Sequence, residues 1–108
     1  MSVYSDIRTA LAGFGYPVGT NVYTGTASTY FVITLNTLPA NFADDEPQHI
    51  RNLIMLHLYA PHELNTVTMR KQIATALVGA GFTYPATTDA SDETTQHIVF
   101  ECEGTEGV

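Results

Sequence analysis

The chain has 108 residues, of which 44% are hydrophobic and 14% charged, enough for one globular domain with a modest core and too few for two. Four Lys and Arg against eleven Asp and Glu give a formal charge of −7, which excludes direct affinity for a phosphate backbone unless the few bases cluster. It does not exclude an acidic lining past which DNA slides without sticking. Cys102 stands alone, so no intrachain disulfide forms. No apolar run approaches the roughly 20 residues that cross a bilayer, and the N-terminal stretch lacks the basic and apolar regions of a signal peptide. These features predict a protein made and kept in a reducing cytoplasm until it is assembled into something larger.

Residues 5–14 predict a first helix, with Ser5 at the N-cap, Asp6 in the first turn, and Ile7, Ala10, Leu11 and Phe14 at helical spacing. Gly15 ends it, and Tyr16-Pro17 starts an extended run to residue 23. Two strands follow, 30–38 and 50–59. In the first, Phe31, Ile33 and Leu35 alternate with Val32, Thr34 and Asn36. In the second, Ile50, Ile54, Leu56 and Leu58 share a face interrupted by Asn52, while Leu53, Met55 and Tyr59 share the other with Arg51 and His57. A strand apolar on both faces is central in its sheet or has one face covered by a neighbouring subunit.

A second helix over 65–80 places Met69, Ile73, Ala76, Leu77 and Ala80 on one face and ends at Gly81. The two helix ends echo each other: Ile7, Thr9, Ala10, Leu11, Gly13 and Gly15 recur as Ile73, Thr75, Ala76, Leu77, Gly79 and Gly81. Each unit reads helix, Gly cap, aromatic, Pro, strand, although Gly is favoured at helix ends everywhere. The last strand, 96–103, points Ile98, Phe100 and Cys102 inward and His97, Val99, Glu101 and Glu103 outward. Loops are expected at 19–29 and 86–95, and a frayed tail at 104–108. The expected architecture is α+β in the order α-β-β-β-α-β-β, a mainly antiparallel sheet with two helices packed on one face.

Catalytic chemistry is mostly excluded. Asp44, Asp45 and Glu46 beside His49 offer oxygen and nitrogen ligands, but at a spacing that matches no calcium loop. His49, His57, His62 and His97 form no HxH or HExxH pattern and read as surface or strand residues. Cys102 falls on the inward phase of its strand, as a small buried hydrophobe does. No serine lies in a nucleophile elbow and no Gly-rich phosphate loop follows a strand. Arg70-Lys71 lies opposite the apolar stripe of the second helix, on a solvated face or paired with an acidic neighbouring subunit. Neither cofactor nor metal is expected.

The most informative segment is Asn41-Phe42-Ala43-Asp44-Asp45, between the two long strands. Its carboxylates have no catalytic spacing and read as a surface that meets another protein. A first helix ending in Gly15-Tyr16-Pro17-Val18, the strand Tyr30-Phe31-Val32-Ile33-Thr34-Leu35, this acidic segment, a strand from His49-Ile50 to Leu56-His57-Leu58-Tyr59, a second helix, a Gly-Phe-x-Tyr turn and the closing His97-Ile98-Val99-Phe100-Glu101 follow in order. As an ordered set covering nearly the whole chain, they resemble the small tail-terminator or tail-completion proteins of long-tailed bacteriophages and prophages.

That resemblance implies a structural, non-enzymatic protein of the virion, assembled in the host cytoplasm. It would form a hexameric ring that caps the tube of major tail protein, stops its polymerisation and presents a surface to the head-completion protein. DNA would pass through without specific binding, and no membrane would be involved. A ring needs two different complementary patches per subunit. The candidates are Leu53, Met55 and Tyr59 on the outer strand face, Phe42 as an exposed aromatic in the strand-to-strand loop, and Arg70 and Lys71. Asp44, Asp45, Asp89, Asp92 and Glu93 would face the lumen or a tail-tube neighbour. Two other readings stay open: a head-closure or minor capsid protein, and a small ligand-binding or enzymatic α+β domain, which would need a concave polar cluster.

Overall fold

Ile7 and Leu11, four residues apart and fully buried, turn one stripe of the first helix toward the sheet; Ile73 and Leu77 do the same for the second. The computed structural model describes residues 3–43 and 46–107, with side chains described for 3–37 and 51–104. In chain order it contains α1 (Val3–Leu11), a 3₁₀ turn (Ala12–Phe14), β1 (Val18–Thr20), β2 (Tyr30–Ala43), β3 (Glu46–Ala60), α2 (Val67–Gly79), β4 (Ala86–Asp89) and β5 (Gln96–Gly107). This is the expected α+β order. The strands form one sheet, β1-β2-β3-β5-β4. Every pairing is antiparallel except β1 with β2.

The core fills one side of the sheet. Phe31, Ile33, Ile54, Leu56, Leu58, Ile98, Phe100 and Cys102 meet Val3, Ile7, Leu11, Ile73 and Leu77 of the helices, so both helices cover the same face. β3 is central, as its two apolar faces require. The rings of Phe14 and Tyr16 each meet Phe31 edge-on at 6.2 Å, an arrangement that suits aromatic quadrupoles. Phe82 lies on Gly104, where an added Cβ would come within 2.7 Å of its ring.

The echoed helix ends fold alike. Gly15 and Gly81 adopt φ of 77° and 99°, left-handed conformations that glycine takes without penalty. The Gly81 amide donates to Val78 O and the Phe82 amide to Leu77 O at 3.0 and 3.1 Å. Each glycine then leads to an edge strand, β1 at one border of the sheet and β4 at the other.

Several boundaries differ from the sequence expectation. α1 starts at Val3, whose burial draws two more residues into the helix, so Ser5 is not the N-cap; its carbonyl accepts the Thr9 hydroxyl at 3.0 Å. α2 starts at Val67, with Asn65 Oδ1 accepting the Val67 amide at 3.0 Å. The extended run after Pro17 stops at Thr20 because Asn21 turns to φ 65°. Ala86–Asp89, expected inside a loop, is an edge strand on β5.

The largest difference is the hairpin. β2 and β3 stay in register beyond Leu35 and Ile54 to Ala43↔Glu46. Phe42 is therefore in a strand opposite Pro47 and not in a loop, because continuous pairing with β3 carries β2 through the segment. Residues 104–107, expected as a tail, continue β5 alongside β3 as far as His49↔Gly107. Residues 36–43 carry β2 roughly 25 Å past the last core position at 3.3 Å per residue, which accounts for the 54 Å length of the molecule. Pro39 falls where β2 has no strand on its outer side, and Pro47 beyond the last pair with β5. A missing amide is tolerated at such edges.

Candidate functional site

The helices leave the opposite face of the sheet uncovered. The strand register arranges it in rows: Tyr30, Tyr59 and His97; then Val32, His57, Val99 and Thr88; then Thr34, Met55, Glu101 and Ala86; then Asn36, Leu53 and Glu103. The face therefore passes from aromatic through apolar to acidic. Val32 and Val99 are 7% and 6% exposed although they point away from the helices, so the middle of this face is closed to solvent and its open part is the end around Met55.

At the aromatic end, rings from four segments stack. Tyr23 lies on Tyr30 at 4.2 Å between centroids, Tyr30 on Tyr59 at 5.0 Å, and Tyr59 on His97 at 4.2 Å. His57 joins through a hydrogen bond, its Nδ1 2.9 Å from His97 Nε2. Burial, helped by the neighbouring His97, pushes the His57 imidazole below its usual value. Burial also lowers His97, opposed by the carboxylates of Asp92 and Asp89, while burial and then Tyr30 raise the Tyr59 phenol. Sequence spacing gives no hint of the pair: the two histidines are 40 residues apart and meet only through the β3–β5 register.

At the other end, Met55 is 39% exposed and borders a groove of about 430 Å³ lined by Thr34, Leu53, Met55, Ala86, Glu101 and Glu103. Arg51 Nε donates to Glu103 Oε1 at 3.1 Å, and its Nη2 reaches the same oxygen, so Glu103 is neutralised and Glu101 is not. The other named candidates lie apart from this face. Arg70 is half-buried, not solvated: it donates to Thr66 Oγ1 and Gln96 Oε1 at 3.1 and 3.2 Å, because it projects toward the start of β5. Lys71 is exposed.

Asp89 Oδ1 accepts the Ser91 amide, and Asp92 Oδ1 accepts the amides of Thr94 and Thr95. The Ser91 hydroxyl and then its amide hold the Asp89 carboxyl, and the Thr95 and Thr94 amides hold that of Asp92, below the usual range, and these bonds give the 90–95 turn its shape. Glu93 is exposed on that turn. Asp44 and Asp45 lie outside the described residues, as do the side chains of Phe42, Glu46 and His49.

Burial raises the Cys102 thiol to about 11, which suits a packed hydrophobe and not a nucleophile. Among the described residues, no three His, Cys, Asp or Glu stand together as metal ligands, and no helix is long and apolar enough to cross a membrane.

No family model matches the chain, and no curated protein does. Solved structures do. One, whose designation carries no functional description, is 10% identical with a TM-score of 0.64 over 98% of this chain and 93% of its own. At that identity the likeness is one of fold.

Proposed function

We propose that this chain is a structural subunit of a long-tailed phage or prophage virion. Its copies close into a hexameric ring on the end of the tail tube, stop tube growth and receive the head-completion protein. Beside the ordered motifs of the sequence, the observation that carries this reading is that one small domain has two unlike unfinished surfaces. One is the uncovered sheet face around Leu53, Met55 and Tyr59; the other is the β2–β3 arm, which runs past the last core residue among the described side chains and includes Phe42. A ring subunit needs one surface for its neighbour and another for the tube.

On this reading the arm and the acidic segment with Asp44 and Asp45 reach the tube or the lumen. Asp89, Asp92 and Glu93 border the channel, where repulsion keeps passing DNA from adhering. The chemistry required is assembly alone, without cofactor or catalytic group.

The proposal is tested by adding the purified chain to tail-tube protein of the same genome as it polymerises. Substoichiometric chain should stop elongation and leave a ring at one end of each tube, and Asp44→Lys/Asp45→Lys should weaken that capping at least tenfold. Tubes of unchanged length at saturating chain would refute it.

A further inference from the structure

Among the described residues, five large hydrophobic side chains are well exposed: Val22, Met55, Val67, Val78 and Tyr84. Single exposed hydrophobics need no explanation, but Met55 and Val67 each stand beside an exposed charge of opposite sign, Glu101 and Lys71. Met55 borders the groove on the uncovered sheet face, with Glu101 and Ala86 beside it. Val67, Lys71 and Val78 lie on one flank of α2, bordering the buried Ala74 and Leu77, with Val67 and Lys71 exposed one turn apart at its start.

The charges divide in the same way. Arg8 donates to Val18 O and Thr20 Oγ1, Arg51 is paired with Glu103, and Arg70 is bonded to Thr66 and Gln96. Lys71 is the one basic side chain among the described residues without a partner in the chain. With a formal charge of −7, copies that associate repel unless a cation meets a carboxylate, and Lys71 alone is available for that. Glu101 is an exposed carboxylate on the uncovered face, beside Met55 and above the buried Val99.

We infer that the occupant of the uncovered sheet face is the start of α2 of a second copy, with its Lys71 on Glu101 and its Val67 on Met55. The spacings agree. Val67 and Lys71 are about 6 Å apart along a helix rising 1.5 Å per residue, and Met55 and Glu101 are register partners on adjacent strands about 5 Å apart. The two surfaces differ, so the contact is head-to-tail, and repetition with closing rotation gives a ring. The inference rests on the ring reading above and specifies the neighbour contact.

Oxidative cross-linking tests it. Val67→Cys and Met55→Cys in the same chain should give a ladder of covalent oligomers, whereas either change alone should give none beyond dimer. Adding Lys71→Glu or Glu101→Lys should reduce the ladder at least tenfold, and the exchanged pair Lys71→Glu/Glu101→Lys should restore it. No ladder from the folded double-cysteine chain would overturn the contact, as would a ladder indifferent to Lys71→Glu or a control pair, Thr75→Cys with Thr20→Cys, that links equally well. A ladder from a chain that fails to cap tubes would leave the contact standing and remove the terminator reading; capping without a ladder would do the reverse.

Discussion

His57 and His97 share one hydrogen bond at 2.9 Å beneath a stack of tyrosines, an arrangement that holds one proton between two neutral rings. Both imidazoles are pushed below their unfolded value near 6.5, so the folded state binds fewer protons than the unfolded one as pH falls. The stability they contribute is therefore complete above about pH 6.5 and is lost as pH drops through their lowered folded values. The groups facing the pair are Thr34, Tyr59, Asp89 and Asp92. The two aspartates titrate below their ordinary range and leave this window to the histidines. Melting temperature followed from pH 8 to pH 5 should fall less steeply in His57→Gln than in the native chain; equal slopes would show that the pair carries no such linkage. At this scale the sequence is informative about phase and silent about partners. The outward phase of Tyr30, Tyr59 and His97 follows from strand alternation, but the ring stack requires the register across three strands. Arg70 was misread for a related reason, since helical periodicity sets its angle without showing that the start of β5 lies within its reach.

Among the elements, the two helix-cap units were legible because glycine at a left-handed position leaves a local signature. The hairpin arm was not. Pro39, Asn41 and Pro47 read locally as strand ends, while cross-strand pairing, a tertiary effect, carries both strands through them. The same logic gives opposite signs for two neighbouring glycines. Gly81→Ala places a Cβ at φ 99° and should cost about 1–2 kcal/mol. Gly79→Ala lies within α2, with nothing within 4 Å of the new methyl, and should stabilise by about 0.5–1 kcal/mol. Urea denaturation of the two variants checks the pair, and a shift of the same sign in both would contradict the cap assignment. Edge management is also an element-scale property. Arg8 occupies the outward carbonyl of β1 and β4 has only four residues, which limits strand addition at those two strands, whereas β2 beyond Ile33 has no strand on its outer side.

For the whole molecule, one face of the sheet buries the core and the other presents an apolar and acidic surface, while a long arm leaves the domain. Of this, the α+β order and the central place of β3 could be read from hydrophobic period alone, because both depend on side-chain alternation. Which copy meets which face depends on surface matching that a linear pattern does not encode. The central claim, that the chain ends the tail tube and joins it to the head, is tested most directly by electron microscopy of lysates from the parent phage or prophage with this gene deleted. The account predicts overlong tails detached from filled heads, corrected when the gene is supplied in trans. Normal infectious particles in the deletion lysate would contradict it.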